Sequence, residues 1–258
     1  MTVTIEAWRI TGQSQIDSYV GRWVELAVLL VNELAVTQAR GRPVELPAAR
    51  PAYPSAGPSA GPSAGPSAGP SAGPSAGRRV ALEAAFARSA WTPAPPPGPG
   101  PSRSGSDTVP HLGRTGAAGS ASGDSAVGIG RALTDEEADR LADLAAELHP
   151  AFTGASGAIA TLNQCLVRHA AVPSLHGDPP RLAFHRPEAD RVDAWAADAA
   201  TSLAMVIGVG QGLRLRSCEA NGCDLVFFDV TRNASRRFCG LPCQNRAKAS
   251  AYRARRRG

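Results

Sequence analysis

The chain predicts a mainly α fold: an α-helical N-terminal domain interrupted by a disordered insertion, then a small α+β four-cysteine zinc finger made of a β-hairpin and a C-terminal helix. Three observations predict it. Apolar residues recur at helical spacing in several separate segments. Two stretches of Pro, Gly, Ser and Ala lack the large side chains needed to bury a core. Four of the five cysteines, Cys218, Cys223, Cys239 and Cys243, fall as C-x4-C and C-x3-C pairs with fifteen residues between them. The helical part is placed at 1–212 and the finger at 213–258.

In chain order, Tyr19 to Gln38 carries Val20, Trp23, Val24, Ala27, Leu30, Val31 and Leu34 at helical spacing and stops before Gly41 and Pro43. Pro54 to Gly77 is six copies of Pro-Ser-Ala-Gly, within an insertion at about 51–77, and a short helix is predicted from Arg79 to Trp91. A second low-complexity insertion, about 92–130, opens with Pro93, Pro95, Pro96, Pro97, Pro99 and Pro101. Thr134 is an N-cap with Glu137 completing a capping box, and Ala138, Leu141, Ala145 and Leu148 share the face that follows. A further helix is expected over Ala155 to His169, and a short strand over Leu182 to His185. Pro187 is expected to open a helix striped by Val192, Trp195, Ala196, Ala199, Leu203 and Val206, closing at Gly208, Gly210 and Gly212.

Four thiolates in two close pairs supply the tetrahedral coordination that Zn2+ prefers, and with all four positions filled the site is structural and holds one ion. Cys165, in the run Thr161 to Val167, reads as ordinary core, and the five histidines show no metal-ligand spacing. Gly208, Gly210 and Gly212 follow a helix where a dinucleotide loop would follow a strand. No Ser/His/Asp set or carboxylate pair stands out, so no enzyme is expected. Met1 to Gln15 lacks a secretory core, and the longest apolar stretches, Leu26 to Val31 and Leu203 to Val209, fall far below the ~20 residues of a membrane span. The expectation is a cytoplasmic protein with reduced thiols and no membrane contact.

Charge divides the chain at the same boundary. From Leu213 to Gly258 there are eleven Lys or Arg against three Asp or Glu, a net +8, while the remainder carries sixteen against nineteen. Four thiolates around Zn2+ leave the module near about +6, a field that attracts polyanions. Leu213 to Arg216 and Leu225 to Phe228 read as strands flanking the first cysteine pair, with Phe227 or Phe228 packing under the zinc. Thr231 to Phe238 forms a basic loop, and a helix follows Cys243, with Ala247, Ala251 and Ala254 as a small-residue stripe facing the hairpin. Its outer face is Asn245, Arg246, Lys248, Tyr252, Arg253, Arg255 and Arg256. Asn, Arg and Lys contact base edges and phosphates, so Arg246 and Lys248 are the expected groove contacts, and Arg232, Arg236 and Arg237 the expected phosphate contacts.

The module resembles the CGNR-type zinc fingers of bacterial proteins that look like transcriptional regulators. The resemblance rests on Cys218, Cys223, Phe227, Asp229, Thr231-Arg232-Asn233, Ser235-Arg236-Arg237, Cys239 and Cys243-Gln244-Asn245-Arg246-Ala247-Lys248, with Gln244 where the naming motif has glycine. In that family the finger follows an α-helical ABATE domain associated with stress-induced transcription regulation. Leu29-Leu30-Val31-Asn32, Leu162-Asn163, Phe184-His185 and the Trp195 helix are similar to that domain, which the low-complexity stretches then interrupt. The resemblance implies a zinc-dependent DNA-binding regulator whose helical domain senses a signal or forms a homo-oligomer. Two alternatives stand beside it: an RNA-binding zinc-ribbon-like protein stacking bases on Phe238 and Tyr252, and a finger used for protein–protein interaction.

Overall fold

The computed structural model describes residues 5–46, 74–89, 91, 132–178 and 180–256. Among these residues it is mainly helical, with three two-stranded antiparallel ribbons. Most of both low-complexity insertions lies outside the described residues.

Helix α1, Ile5–Leu34, begins fourteen residues before the predicted Tyr19, because Gly12 and the polar Gln13 to Gln15 hide the helix from a search for an apolar stripe. It also ends before the predicted Gln38. There the chain turns into a tight hairpin, β1 (Gln38–Ala39) against β2 (Arg42–Pro43), through Arg40 and Gly41 at φ 55° and 85°. Two consecutive positive φ values are what a two-residue hairpin turn with the sheet's own twist requires.

Helix α2, Pro74–Ser89, starts inside the last Pro-Ser-Ala-Gly copy, so residues 74–77 join a helix although the sequence placed them in the insertion. Proline suits a first helical turn, where its missing N–H leaves no bond unmade. Trp91 lies beyond the helix and is buried, its indole N–H donating to the Arg22 carbonyl at 3.0 Å. Its ring meets Trp23 and Trp195 at centroid distances of 5.8 and 5.3 Å.

Helix α3, Asp135–Thr153, is capped as predicted: Thr134 Oγ1 accepts from the Glu137 N–H at 3.1 Å, and the Glu137 carboxylate accepts from the Thr134 N–H at 2.8 Å. The same carboxylate takes the buried Arg191 guanidinium, which ties this cap to the helix carrying Arg191. Ala138, Leu141, Ala145 and Leu148 are all fully buried.

Helix α4, Ala158–Arg168, follows Gly157 at φ 84°. The strand expected at Leu182 to His185 appears as β4, Arg181–Ala183, paired with β3, Ser174–His176, a partner the sequence did not predict.

Helix α5, Arg191–Val206, starts four residues after Pro187, because Asp190 is the group that caps it, accepting from the Asp193 N–H at 2.9 Å. Between Arg191 and Leu203 only Asp193 escapes burial, so α5 is a central helix buried all round. Its five alanines from Ala194 to Ala200 admit α1, α3 and α4 at close range. The stretch Arg191–Arg214 is long and apolar enough to cross a membrane by composition, but two-thirds of its apolar window is buried inside the protein.

The chain leaves α5 through a π-type turn at Ile207–Gln211, where Gly210 has φ 77°, and a 3-10 turn at Gly212–Arg214. The predicted strand at Leu213 therefore begins later, as β5, Leu215–Ser217, paired with β6, Val226–Phe228, in the register Leu215 to Phe228. Leu215 and Val226 belong to the same core as α1, α3 and α5. Asn32 then clasps β6: its amide N–H donates to the Val226 carbonyl at 3.0 Å, and its carbonyl accepts from the Val226 N–H at 2.8 Å.

Replacing Asn32 with Ala leaves both Val226 backbone groups unpaired at a partly buried edge, at a cost of about 1–3 kcal/mol. The expected outcome is a lower denaturation midpoint, with amide exchange in 214–230 accelerating more than in α5. Equal acceleration in both regions would show that the clasp does not act on the finger.

Candidate metal centre and basic helix

Cys218 follows β5 and Cys223 precedes β6, so the hairpin presents the first knuckle as predicted. Helix α6, Leu241–Arg255, carries Cys243 in its first turn, with Gly240 before it and Pro242 within the turn. Gln244 donates its N–H to the Gly240 carbonyl at 3.1 Å, an early rung of the helix, so this side chain is accommodated where the naming motif has glycine.

The four sulfurs lie within 4.8 Å of one another, with Cys223 Sγ to Cys239 Sγ at 3.8 Å and Cys239 Sγ to Cys243 Sγ at 3.6 Å. A tetrahedron with Zn–S bonds of about 2.3 Å has an edge of about 3.8 Å. The cage is therefore already the size of a zinc site. None of the five cysteines is in a disulfide.

Electrostatics lead to the same conclusion. Burial, the neighbouring Cys243 thiol and the charges of Cys218 and Cys223 push the Cys239 thiol well up, and burial raises Cys243. Burial acts upward on Cys223 as well, but N–H groups of Arg40 and Leu225 directed at its sulfur bring it below the ordinary thiol value. The Cys239 N–H donates to Cys218 Sγ at 3.4 Å. Four sulfurs crowded this closely, three of them on buried residues and one half-buried, do not all ionise without a cation among them, and a divalent ion removes the conflict.

The side chains packed against the cysteines are Ala220, Leu225 and Phe238, not the predicted Phe227 or Phe228. Phe228 turns to the main core. Phe227 is buried beneath Arg236, whose guanidinium carbon sits 4.5 Å from the ring centroid.

The helical body completes the knuckle. The Gly41 N–H donates to the Gly222 carbonyl at 2.7 Å, and the Asp224 N–H donates to the Gln38 carbonyl at 2.9 Å. Gly222 has φ 68°, and a Cβ there would meet the Gly41 Cα at 3.4 Å; a Cβ on Gly41 would meet Arg246 Nη1 at 2.7 Å. Both glycines hold a positive φ, the left-handed region that disfavours residues with a side chain, where the two backbones of this seam meet.

The sequence-predicted contact residues separate into two groups. Arg236 braces the finger from inside, donating Nε to the Phe238 carbonyl at 2.9 Å and Nη2 to the Cys239 carbonyl. Its own N–H goes to the fully buried Asp229, whose carboxylate also takes the N–H and hydroxyl of Thr231 and so shapes the basic loop. Arg246 donates to the Asn221 carbonyl at 2.8 Å, and Arg237 to Glu219 at 2.6 Å while keeping an exposed side chain. Arg232, Asn245, Lys248, Tyr252, Arg253, Arg255 and Arg256 are exposed. Ala247 is half-buried, but Ala251 and Ala254 are exposed, so the expected alanine stripe does not pack on the hairpin. From Lys248 to Arg256 the helix projects from the finger with every residue exposed.

Two residues set aside in the sequence prove to have company. Cys165 is buried as predicted, yet a ligand atom of Cys165 lies within 4.8 Å of ligand atoms of Glu147 and His169. The C-x3-H spacing of Cys165 and His169 on one helix face was the available signal, whereas Glu147 comes from another helix.

A closed four-sulfur site at the joint of a hairpin and a helix defines a structural zinc finger. The model of the CGNR zinc finger family matches residues 214–256, which contain all four cysteines and the whole of α6. No curated protein matches the chain.

Changing Cys243 to Ser removes a ligand from a cage whose apolar support is three side chains. The expected outcome is loss of the zinc equivalent held by the finger and of amide protection across 218–247, read by metal analysis and hydrogen exchange, with α3 and α5 retained. Full zinc retention in this variant would exclude the four-sulfur site.

Proposed function

We propose that this protein is a zinc-dependent DNA-binding transcription regulator, bacterial and cytoplasmic, whose helical body is ABATE-like and whose finger presents α6 to duplex DNA. The observation that carries this reading is the projecting end of α6. Nine consecutive exposed residues, Lys248 to Arg256, span about 12–14 Å of helix at about 1.5 Å each. The major groove is about 12 Å wide and admits such a helix.

Asn245, Lys248, Tyr252, Arg255 and Arg256 recur at intervals of three, four, three and one residues, so they fall along one side of the helix. In this reading Asn245 and Lys248 reach base edges, and Arg253, Arg255 and Arg256 neutralise phosphates together with Arg232 and Arg237 of the loop. Arg236 and Arg246 act as braces that hold the loop and helix in place. Zinc supplies folding energy: it fixes the angle between hairpin and helix, and no reaction is needed.

Fluorescence anisotropy of the zinc-loaded protein with mixed-sequence duplex DNA and with single-stranded RNA, across a salt series, tests the reading. Duplex binding is expected to weaken steeply with salt and to disappear with a chelator. Replacing Arg253 and Arg255 together with Ala is expected to reduce the slope of log K against log salt by about two, one for each lost phosphate contact. A preference for RNA that Tyr252→Ala abolishes would favour base stacking, because Tyr252 is exposed with Arg256 5.8 Å from its ring centroid. Absence of binding to either nucleic acid at low salt would refute both readings and leave a finger that contacts protein.

A further inference from the structure

The helical body contains a second group of metal-ligating side chains, separate from the finger. Cys165 and His169 stand one turn apart at the end of α4, and Glu147 faces them from α3, with one ligand atom of each within 4.8 Å of the others. Thiolate, imidazole and carboxylate form a donor set suited to Zn2+ and similar borderline cations.

Two further features support a metal at this place. Glu147 Oε1 is held by Arg168, while Oε2 is buried and has no hydrogen-bond partner among the described residues, the Cys165 thiol lying close enough to interact with the carboxylate. A buried carboxylate oxygen left unpaired is costly, and a cation would satisfy it. His169 Nδ1 lies 2.9 Å from Asp193 Oδ1, and Asp193 is itself held by Arg140 at 2.8 Å. This arrangement of carboxylate and imidazole orients a metal-ligating histidine, with Nε2 left as the ligating nitrogen.

We infer that Glu147 Oε2, Cys165 Sγ and His169 Nε2 form a second divalent-metal site, with Asp193 as its positioning residue and a fourth position open to water or to an added ligand. On binding, the Cys165 thiol gives its proton to solvent and becomes the thiolate ligand. Cys165 is fully buried, while the side chains of Glu147 and His169 keep 24% and 13% of their exposure, so the cluster lies just beneath the surface. The ion would join α3 and α4 directly, and α5 through Asp193. It therefore sits among three helices of the body, the part of the protein to which the zinc finger assigns no task.

The test is titration of the full metal-free chain with Zn2+ and then Co2+, under reducing conditions, with bound metal counted after removal of excess. The wild type is expected to bind two equivalents and Cys165→Ala one, with the cobalt spectrum of the four-sulfur finger preserved in both. Asp193→Asn should keep two equivalents but weaken one of them by about 10–100-fold. His169→Asn, at a partly exposed position, gives the same comparison if Cys165→Ala fails to fold. One equivalent in the wild type would overturn the inference, as would two equivalents retained at unchanged affinity in both Cys165→Ala and His169→Asn. The count is independent of nucleic-acid binding, so it stands or falls separately from the proposed regulator.

Discussion

The clasp between Asn32 and Val226 is the interaction on which the relation of the two halves depends. An asparagine side chain offers one donor and one acceptor in the arrangement of a peptide group, so it can pair with an edge residue as a neighbouring strand would. Here it does so from the face of α1, across 194 residues of sequence. The consequence is that β6 has a partner on each side: β5 by a short ladder and α1 by a side chain. With Leu215 and Val226 sunk into the body's core, the hairpin rests on the helices by apolar packing and is held in register by the clasp.

This arrangement explains how so small a finger is built. Among the described residues only Ala220, Leu225 and Phe238 pack against the four cysteines, far too little apolar surface to fold residues 214–256 unaided. The metal is one remedy, and the body is another. The β1–β2 hairpin contributes the Arg40 N–H to a cysteine sulfur, while its Gly41 and Gln38 pair with the backbone of the knuckle. Such N–H bonds disperse thiolate charge and orient the ligand, the part that outer groups play around a metal. The finger is thus specified by zinc from within and by α1 and its hairpin from without.

Local features of this design were legible in the sequence. The Thr134 and Glu137 capping box, the hairpin between Leu215 and Phe228 and the four paired cysteines depend on residues close in the chain, and each has a stereochemical signature. The joints were not legible, because they unite residues far apart whose types are unremarkable. Asn32 closes the Leu29-Leu30-Val31-Asn32 segment noted in the sequence, but nothing there points to Val226; Arg40 acts through a backbone N–H that any residue but proline has, and Glu147 meets Cys165 only once α3 and α4 have packed. Pro187 misled for a related reason: it suits a helix start, but Asp190 could supply the side-chain oxygen that caps one, and the helix follows the cap.

The alanines of α6 show how one pattern serves two physical ends. Ala247, Ala251 and Ala254 have the spacing of a packing stripe, yet beyond Ala247 they pack on nothing among the described residues. Their value is intrinsic. Alanine is the strongest helix former, and with Ala249 it offsets the lack of tertiary support for a segment that would be marginal alone in water. Arg253 and Arg255 in the last turn add a favourable interaction with the negative end of the helix. A helix maintained by propensity, charge and a cysteine anchor can keep its whole circumference free. A helix held by packing would surrender one face to the body, so the loss of the predicted contact is what leaves the basic surface exposed on every side.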